Sequence, residues 1–539
     1  MSGLPHGTTL IDSLQRAEAF PHPVDEIRLL ETHISWVLLA GEWAYKIKKP
    51  VDLGFLNFST LEKRRHFCEE ELRLNGRLAP DLYLCVEPIT GSEESPRIGG
   101  DGDPIEYAVK MRLFPQEMLL SRLIGQGELR ADEIDSLADE VVEFHGRIAV
   151  ATAEGRAGRP DQVRGPAQAN LDVLRNCPAI FERCGEDLGR LERWEQEEAE
   201  RCRSRFAERL RDGFVRECHG DMHLGNMVRG EDGVLIFDGI EFSEELRWTD
   251  VMSEVAFAVM DLEDRGRADF AHRFLDRYLA GTGDYAGLDV LRYYLVYRAL
   301  VRAKVAAIRL GQSDVEEADR RKLIEQCTEY IELASRYSER LRPFLAITHG
   351  VSGSGKTTGT QPLVEQVGAI RVRSDIERKR LFGLPPEAST EGKLEQQVYS
   401  QESTRRTYDR LAELAEGIVS AGFPVVVDAT FLSRSVRQRF AALADRMRVP
   451  FRILCFDAKP QVLERRLAQR GADGRDASEA DVSVMRGQLD RQEPLTDVER
   501  CVAVTISPEV PLDVPEFCSE LGLVRAAESG TGGVAESRR

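Results

Sequence analysis

The chain has 539 residues, 42% of them hydrophobic and 31% charged, which is typical of a folded, soluble protein with more than one hydrophobic core. Its 73 basic and 92 acidic residues give a formal net charge of −19. Such a surface repels phosphate backbones. Broad binding to nucleic acid or to anionic membranes is therefore disfavoured, although a local basic cleft stays compatible with this charge.

The cysteine pattern and the apolar runs bear on location. Ten cysteines are scattered singly and none forms a CxxC pair, which argues against a zinc site of the usual spacing and favours reduced thiols. The N-terminal residues lack the basic and apolar regions of a secretory signal. No apolar run reaches the roughly 18 residues of a membrane span. We therefore expect a cytoplasmic protein with no membrane partner.

The first 115 residues predict a small sheet with one helix. Two short apolar runs flank a turn at Gly41, which is typical of a hairpin. A charged, periodic stretch that ends before Pro80 predicts the helix. The predicted elements are strands at 36–40 and 44–49, a helix at 61–78, and strands at 82–88 and 107–114.

Helical patterns dominate residues 116–343, interrupted by a strand–loop–strand passage at 215–242. Beyond Pro343 strands alternate with helices, which indicates a parallel sheet covered by helices. The strands predicted there are 344–348, 369–373, 425–427, 451–456 and 502–506. The predicted domains are 1–115, 116–343 and 344–525, followed by a disordered tail at 526–539.

The sequence HGDMHLGN at 219–226 is followed by a short apolar strand that ends at Asp238. Its Asp-x4-Asn spacing matches the catalytic loop of eukaryotic-type kinases. In that chemistry Asp221 accepts the proton of the attacking hydroxyl, and Asn226 and Asp238 coordinate Mg²⁺.

HGDMHLGN followed by IFDGIEF resembles the aminoglycoside-phosphotransferase-like kinase family. The resemblance implies an α+β, protein-kinase-like fold with two lobes, an N-lobe at 1–115 and a helical C-lobe at 116–343, that uses ATP and Mg²⁺. It also implies a phosphate-binding lysine and a helix glutamate in the N-lobe. Lys46 is the preferred lysine, with Lys48 as the alternative, and Glu71 is preferred over the two glutamates that precede it.

One departure from the family stands out. Only Gly41 is present where the family has a Gly-rich loop, so phosphate coverage would depend on Thr32–Ser35. An alternative hypothesis makes this domain a regulatory binding module. Metal binding by His219 and His223 is a weaker interpretation, because no third ligand is evident. The resemblance further implies that Asp250 bonds the catalytic loop.

Residues 350–357, GVSGSGKT, complete the P-loop pattern between a strand and a helix. Backbone N–H groups and the helix N-terminus bind phosphates there. Lys356 reaches the β and γ phosphates, and Thr357 supplies a hydroxyl to Mg²⁺. The predicted nucleotide-binding residues are Gly350, Ser352, Gly353, Ser354, Gly355, Lys356, Thr357 and Thr358.

Charged residues downstream extend this site. Asp428 ends an apolar strand and is predicted to hold Mg²⁺, with a turn or cap as the alternative. Asp375 is predicted to accept a hydroxyl proton and Arg378 to bind phosphate, with an N-cap and a surface arginine as the alternative. Arg466 and Arg470, one helical turn apart, indicate a lid over the transferring phosphoryl group or else a solvated helix face.

Residues 344–523 resemble the small P-loop kinases of the gluconate-kinase, zeta-toxin and polynucleotide-kinase group. The resemblance implies an α/β P-loop domain with a mainly parallel sheet, and phosphoryl transfer from ATP with Mg²⁺. Asp375 and Arg378 are similar to the base and phosphate clamp of polynucleotide kinase.

Together the motifs predict an ATP-dependent bifunctional kinase that acts on small hydroxylated molecules. Two alternatives stay open. The N-terminal domain is a regulatory module and only the P-loop domain is a kinase, or the P-loop domain phosphorylates a nucleotide or nucleic-acid 5′ hydroxyl. The net charge of −19 disfavours a long nucleic-acid footprint.

Overall fold

The computed structural model describes residues 8–523 except 53, 55, 153–154, 156–157, 232, 313–314, 341, 387, 389–397, 399, 474–479 and 508–509. Contacts between Cα atoms divide the chain into two compact units. The first comprises Met1–Arg267 and Val290–Ser338, and the second comprises Ala268–Asp289 and Glu339–Arg539. The predicted tail at 526–539 lies outside the described residues.

The first unit begins with a six-stranded antiparallel sheet of order β1-β2-β3-β6-β4-β5. The strands are β1 (Ile27–Glu31), β2 (Ser35–Ala40), β3 (Trp43–Lys48), β4 (Tyr83–Ser92), β5 (Ser95–Ile98) and β6 (Pro104–Arg112). The predicted hairpin and the two later strands are confirmed. The sequence missed β1, which leaves Leu30 46% exposed, and β5, which lies between the predicted strands at 82–88 and 107–114.

Two helices accompany the sheet, and helices supply most of the chain after it as far as residue 338. They are α1 (Thr8–Leu14), α2 (Leu61–Asn75), α3 (Leu120–Gln126), α4 (Ala131–Arg147), α5 (Pro160–Arg175), α6 (Pro178–Arg211), α7 (Glu244–Arg247), α8 (Val251–Asp264), α9 (Ala268–Thr282), α10 (Leu288–Leu310) and α11 (Glu317–Ser338). Every residue of α8 from 251 to 262 is buried, so α8 is a central helix of the C-lobe.

Two short antiparallel ribbons frame the predicted catalytic loop. One pairs β7 (Val215–Glu217) with β10 (Trp248–Asp250), and the other pairs β8 (Met227–Arg229) with β9 (Val234–Ile236). The loop 218–226 therefore leaves one ribbon and enters the other, which fixes both of its ends.

The second unit is built on a five-stranded parallel sheet of order β12-β13-β11-β14-β15. Its strands are β11 (Leu345–His349), β12 (Ile370–Arg373), β13 (Val425–Asp428), β14 (Phe451–Phe456) and β15 (Ala503–Ile506). All five predicted strands are confirmed. Both central strands β11 and β13 are buried along their whole length, as expected for a sheet covered on both faces.

The helices after Glu339 follow the strands in alternation. They are α12 (Lys356–Val367), α13 (Ser374–Leu381), α14 (Gln401–Ser420), α15 (Arg434–Met447), α16 (Pro460–Asp473), α17 (Val482–Arg491), α18 (Asp497–Arg500) and α19 (Val514–Glu520). Ligands of such sheets bind beyond the carboxyl ends of the strands. Within the described ranges, no helix has both the length and the apolar content needed to cross a membrane.

Helix α9 belongs to the second unit although the sequence places it in the predicted C-lobe. Asp276 accepts hydrogen bonds from the backbone N–H of Arg371 at 2.8 Å and from its guanidinium at 3.1 Å. His272 Nδ1 lies 2.8 Å from the carbonyl oxygen of Glu365. The predicted boundary at residue 343 follows the chain, whereas these contacts group α9 with β12 and α12.

Candidate functional sites

The predicted lysine, glutamate and metal-binding aspartate of the first unit meet in one cluster. Lys46 Nζ lies 2.7 Å from Glu71 Oε1 and 2.6 Å from Asp238 Oδ1. Burial disfavours the charged lysine, but the carboxylates of Asp238 and Glu71 outweigh burial and raise the pKa of Lys46. A cation is thus fixed beside the predicted metal ligand.

Lys48 joins the same cluster from the same face of β3. Its fully buried Nζ lies 2.7 Å from Glu71 Oε2 and also contacts Glu241. Burial alone would raise the pKa of Glu71, but Lys46 and Lys48 lower it to about 2. Both candidate lysines therefore pair with Glu71, and only Lys46 also reaches Asp238.

The catalytic-loop residues Asp221 and Asn226 are hydrogen-bonded to each other. Asn226 Nδ2 donates to the Asp221 backbone oxygen at 3.0 Å and to its Oδ2 at 3.1 Å. His223 Nε2 lies 3.4 Å from Asp221 Oδ2. Burial opposes ionisation, but His223 and the more distant His219 lower the pKa of Asp221 to about 2. Asp221 is therefore an ionised hydrogen-bond acceptor.

Helix α8 holds this loop in place from below. Glu254 Oε1 accepts from the Gly220 N–H at 2.6 Å, and Asp261 Oδ2 accepts from the Leu224 N–H at 2.9 Å. From helix α10, Arg298 donates to the Gly220 carbonyl at 3.0 Å. Three buried charged groups thus satisfy backbone groups of the loop.

Asp250 has a different role from the one that the resemblance implies. It forms two hydrogen bonds with Arg209, of 2.7 and 2.8 Å, and caps α8 by accepting from the Met252 N–H at 2.9 Å. The carboxylates that bond the catalytic loop are those of Glu254 and Asp261. Asp250 and Glu254 are four residues apart, and the sequence alone does not show which of the two carboxylates faces the catalytic loop.

The two histidines of HGDMHLGN make backbone contacts. His219 Nε2 lies 2.9 Å from the Phe237 oxygen, and His223 Nδ1 accepts from the Gly225 N–H at 3.0 Å. Among the described residues, the group compact enough to hold a metal is His145, Cys218 and Glu254. Neither loop histidine belongs to this group.

Asp238 has a backbone conformation that side-chain-bearing residues rarely adopt, with φ of 62°. Its N–H donates to Tyr83 Oη at 3.1 Å, and the next N–H, of Gly239, donates to Asn75 Oδ1 at 2.7 Å. The surrounding structure therefore holds Asp238 in a strained position, as functional sites often do.

Oxygen donors in this cluster suit Mg²⁺. Asn226 uses its amide nitrogen for the bonds to Asp221, which leaves its carbonyl oxygen for a cation. Asp238 receives Lys46 on Oδ1, which leaves Oδ2. Both predicted metal ligands therefore fit the ion.

The turn between β1 and β2 comprises residues 32–34 and is closed by Ser35, the first residue of β2. The Thr32 N–H donates to the Ser35 oxygen at 2.9 Å, and Thr32 Oγ1 accepts from the Ser35 N–H at 3.0 Å. Gly41 lies in the following turn, between β2 and β3, with φ of 64°. The turn from which phosphate coverage is expected is therefore fixed by two hydrogen bonds between Thr32 and Ser35.

In the second unit the P-loop joins β11 to α12. Gly355, the residue before α12, has φ of 91°, and a Cβ on Gly350 would come within 2.6 Å of the Phe456 oxygen, so both positions require glycine. Lys356 Nζ donates to the Val351 oxygen at 2.9 Å. Within the described residues, the buried hydroxyl of Ser354 has no hydrogen-bond partner.

The predicted metal ligands of the P-loop are in direct contact. Thr357 Oγ1 donates to Asp428 Oδ2 at 2.6 Å. A hydroxyl and a carboxylate at the carboxyl end of a central strand are the oxygen donors that Mg²⁺ prefers. One backbone N–H group of the P-loop is bonded to helix α17: the Ser352 N–H donates to Gln488 Oε1 at 2.8 Å.

A cavity of about 890 Å³ opens beside the P-loop and includes the predicted acceptor and lid residues. Asp375 and Arg378 line it together, with 3.7 Å between Arg378 Nη1 and Asp375 Oδ1. Arg466 Nη1 donates to the Ser354 oxygen at 3.2 Å, so it lies over the P-loop. The side chain of Arg470 lies outside the described residues.

Two family models match successive parts of the chain. The family model described as "Phosphotransferase enzyme family" matches residues 58–292, and the model described as "AAA domain" matches residues 345–495. Residues 58–292 belong to the phosphotransferase enzyme family. The chain is an ATP-dependent phosphotransferase with a P-loop kinase domain after the kinase-like domain.

Two mycobacterial relatives extend over most of this phosphotransferase. The uncharacterized proteins Rv2004c of Mycobacterium tuberculosis (strain ATCC 25618 / H37Rv) and Mb2027c of Mycobacterium bovis (strain ATCC BAA-935 / AF2122/97) are each 30% identical to it over 465 residues. The matches cover 85% of this chain and 89% of each relative. The two-domain arrangement is therefore shared with these relatives.

Solved structures match the phosphotransferase in parts. A gluconokinase from Sinorhizobium meliloti 1021 covers 34% of this chain and 93% of its own, at 20% identity and a TM-score of 0.24. A choline/ethanolamine kinase family protein from Mesorhizobium loti covers 61% of this chain and 99% of its own, at 12% identity and a TM-score of 0.36. The amicoumacin kinase hAmiN covers 61% of this chain and 94% of its own, at 10% identity and a TM-score of 0.37.

Several contacts of the phosphotransferase were not foreseen. The sequence makes Lys48 an alternative to Lys46, yet Lys48 bridges Glu71 and Glu241. Glu241 stands in IFDGIEF, three residues after Asp238, so an acidic residue at that spacing was the available signal. Gln488 and Arg371 carry no signal in the sequence, because their roles depend on which helices pack on the P-loop.

Proposed function

We propose that this phosphotransferase has two sites, each of which transfers the γ-phosphoryl group of ATP to a hydroxyl of a small molecule. The observation that supports the first site best is the cluster of Lys46, Glu71 and Asp238. A purely regulatory domain has no need of a half-buried lysine held by a buried glutamate against the aspartate that is positioned for a metal. The intact P-loop, with Lys356 and the Thr357–Asp428 contact, supports the second site.

In the first site Asp221 would orient the acceptor hydroxyl and take its proton. A carboxylate of low pKa is a weak base, so its main contribution is to position the hydroxyl, and the proton leaves as the new bond forms. Lys46 would bind phosphate oxygens of ATP. Asn226 and Asp238 would hold Mg²⁺, which neutralises phosphate charge when bound.

In the second site the P-loop would bind the phosphates through its N–H groups and Lys356. Thr357 and Asp428 would hold Mg²⁺. Asp375 would accept the proton of the acceptor hydroxyl, and Arg466 would stabilise charge on the transferring group.

The charge of the second cavity favours an acceptor that is itself anionic. Seven basic side chains line it against the carboxylates of Asp375 and Asp428. Two of the basic side chains are also paired from outside the lining, Arg405 by Glu402 and Arg439 by Asp409, so three positive charges are in excess. The basic residues are Lys356, Arg373, Arg378, Arg405, Arg439, Arg466 and Arg491. This excess stands out in a chain of net charge −19 and exceeds what magnesium-bound ATP neutralises. A nucleotide or nucleic-acid 5′ hydroxyl is the second candidate that the same lining favours.

The stoichiometry of nucleotide binding tests the proposal. Titration calorimetry of the full chain with a non-hydrolysable ATP analogue and Mg²⁺ should give two sites per chain. Lys46→Met and Lys356→Met should each remove one. A wild-type stoichiometry of one that only Lys356→Met abolishes would favour the regulatory-module alternative. We place the protein in the cytoplasm, where ATP and Mg²⁺ are available.

A further inference from the structure

Helix α9 is clamped onto the P-loop domain along its length. Its His272 and Arg273 both bond Glu365 near the end of α12, through the carbonyl and the carboxylate respectively, each at 2.8 Å. A Cβ on Gly368 would come within 2.9 Å of His272 Nε2. At the other end of α9, Arg380 donates to the Ala280 oxygen at 2.5 Å. The helix is therefore part of the P-loop domain's own packing.

From this helix a chain of polar contacts runs to the P-loop. Asp276, which is 5% exposed, bonds both the backbone and the guanidinium of Arg371. Arg371 Nη1 in turn donates to the Thr357 carbonyl at 2.8 Å. Thr357 bonds Asp428 through its hydroxyl at 2.6 Å. Two contacts, Asp276 to Arg371 and Arg371 to Thr357, thus connect α9 to the proposed Mg²⁺-binding pair of Thr357 and Asp428.

The electrostatics make this arrangement more than ordinary packing. A cation next to the first turn of a helix opposes the helix dipole, so Arg371 alone would be unfavourable beside Thr357. The buried carboxylate of Asp276 neutralises the charge of Arg371 and fixes the orientation of its guanidinium group. The guanidinium is then held as a rigid donor to the Thr357 carbonyl, one residue from Lys356.

We propose that Asp276, acting through Arg371, is a positioning residue of the P-loop site that sets the Thr357 hydroxyl for Mg²⁺. This inference rests on the proposed function of the P-loop. It assigns to α9, which lies in the chain between α8 and α10, a part in nucleotide binding. Both α8 and α10 bond the catalytic loop of the first site, through Glu254 and Arg298. One continuous stretch of helices therefore contributes to both sites.

The test uses the full chain with Lys46→Met, so that a fluorescent ATP analogue reports the P-loop site. Asp276→Asn should raise the Mg²⁺ concentration needed for half-maximal tightening of nucleotide binding by about tenfold, the effect of losing one charged hydrogen bond. Binding without Mg²⁺ should stay within about twofold, because the phosphate donors are untouched. The matched control is Asp269→Asn, the same change on the same helix.

The double variant Asp276→Asn/Arg371→Lys separates positioning from packing. If both residues act on Thr357 in series, the double variant shows no further loss beyond the single variants. Additive losses, or an Asp276→Asn variant that behaves like Asp269→Asn, would overturn the proposal. Should Asp276→Asn fail to fold, Arg371→Lys decides by the same Mg²⁺ titration. If Lys356→Met leaves nucleotide binding intact in this background, the proposed function of the P-loop fails instead.

Discussion

Replacing Lys48 by methionine is the sharpest perturbation of the first site. Lys48 is fully buried between Glu71 and Glu241, and methionine keeps its length and most of its volume. The substitution leaves Glu71 with Lys46 but takes the cation away from Glu241. The pKa of Glu241 is already raised, first by burial, so this carboxyl would take up a proton.

Breaking a buried ion pair in this way costs about 3–5 kcal/mol of unfolding free energy. Partial relief from protonation of Glu241 places the expected loss at about 3 kcal/mol. The neighbouring Lys49→Met is the matched control. Lys49 is 15% exposed, pairs at 2.6 Å with Glu31, which is 60% exposed, and donates to the Thr32 oxygen at 2.5 Å. Because one partner is solvated, this pair is expected to contribute about 1 kcal/mol.

The assay is urea unfolding followed by tryptophan fluorescence. The four tryptophans are Trp36, Trp43, Trp194 and Trp248, and all lie in the first unit, so the signal reports that unit alone. A Lys48→Met/Glu241→Leu variant should recover part of the loss, since an apolar pair replaces an unpaired buried charge. A loss for Lys48→Met no larger than for Lys49→Met would refute this account of the cluster.

Three further predictions concern other parts of the chain. Glu254→Gln should lower the turnover of the first site about tenfold with little change in ATP affinity, because it weakens the hold on the catalytic loop and spares the phosphate-binding lysine; equal effects on both parameters would contradict this. Burial raises the pKa of Glu499, but its contacts with Arg437 and Thr496 outweigh burial and lower this pKa to about 2. The ionised Glu499 therefore stabilises the fold at pH values above the ordinary pKa of a glutamate, and this stabilisation is lost as the pH falls toward 2. Glu499→Gln should therefore destabilise the P-loop unit at pH 7 and flatten its acid unfolding curve in circular dichroism, and an unchanged curve would count against the Arg437 contact. A fragment of residues 344–539 lacks α9, so it should unfold about 5 °C or more below the same unit in the full chain; calorimetry showing equal transitions would contradict the assignment of α9.

Local patterns were enough for much of the fold and for the motif residues. The hairpin β2–β3 and the five strands of the parallel sheet follow from runs of apolar residues between turns. The P-loop and HGDMHLGN are short motifs whose chemistry depends on spacing. Their members Lys356–Thr357 and Asp221–Asn226 lie together because they are close in the chain.

Contacts between segments that are distant in the chain could not be predicted from the sequence. The periodicity of α9 gives its apolar face but not the unit on which that face packs. A lysine in a strand is expected in solvent, so the full burial of Lys48 depends on Glu71 and Glu241, which come from elsewhere in the chain. Likewise Glu254 and Asp261 became loop ligands only because α8 is buried beneath the loop.

The most direct test of two catalytic sites is transfer of labelled γ-phosphate from ATP to a panel of hydroxylated metabolites and nucleotides. The full chain would be compared with Asp221→Asn, Lys356→Met and the double variant. We predict that each single variant loses a different set of labelled products and that the double variant loses both. If Asp221→Asn retains every product of the wild type, the first site is not a phosphoryl-transfer site and the central claim fails.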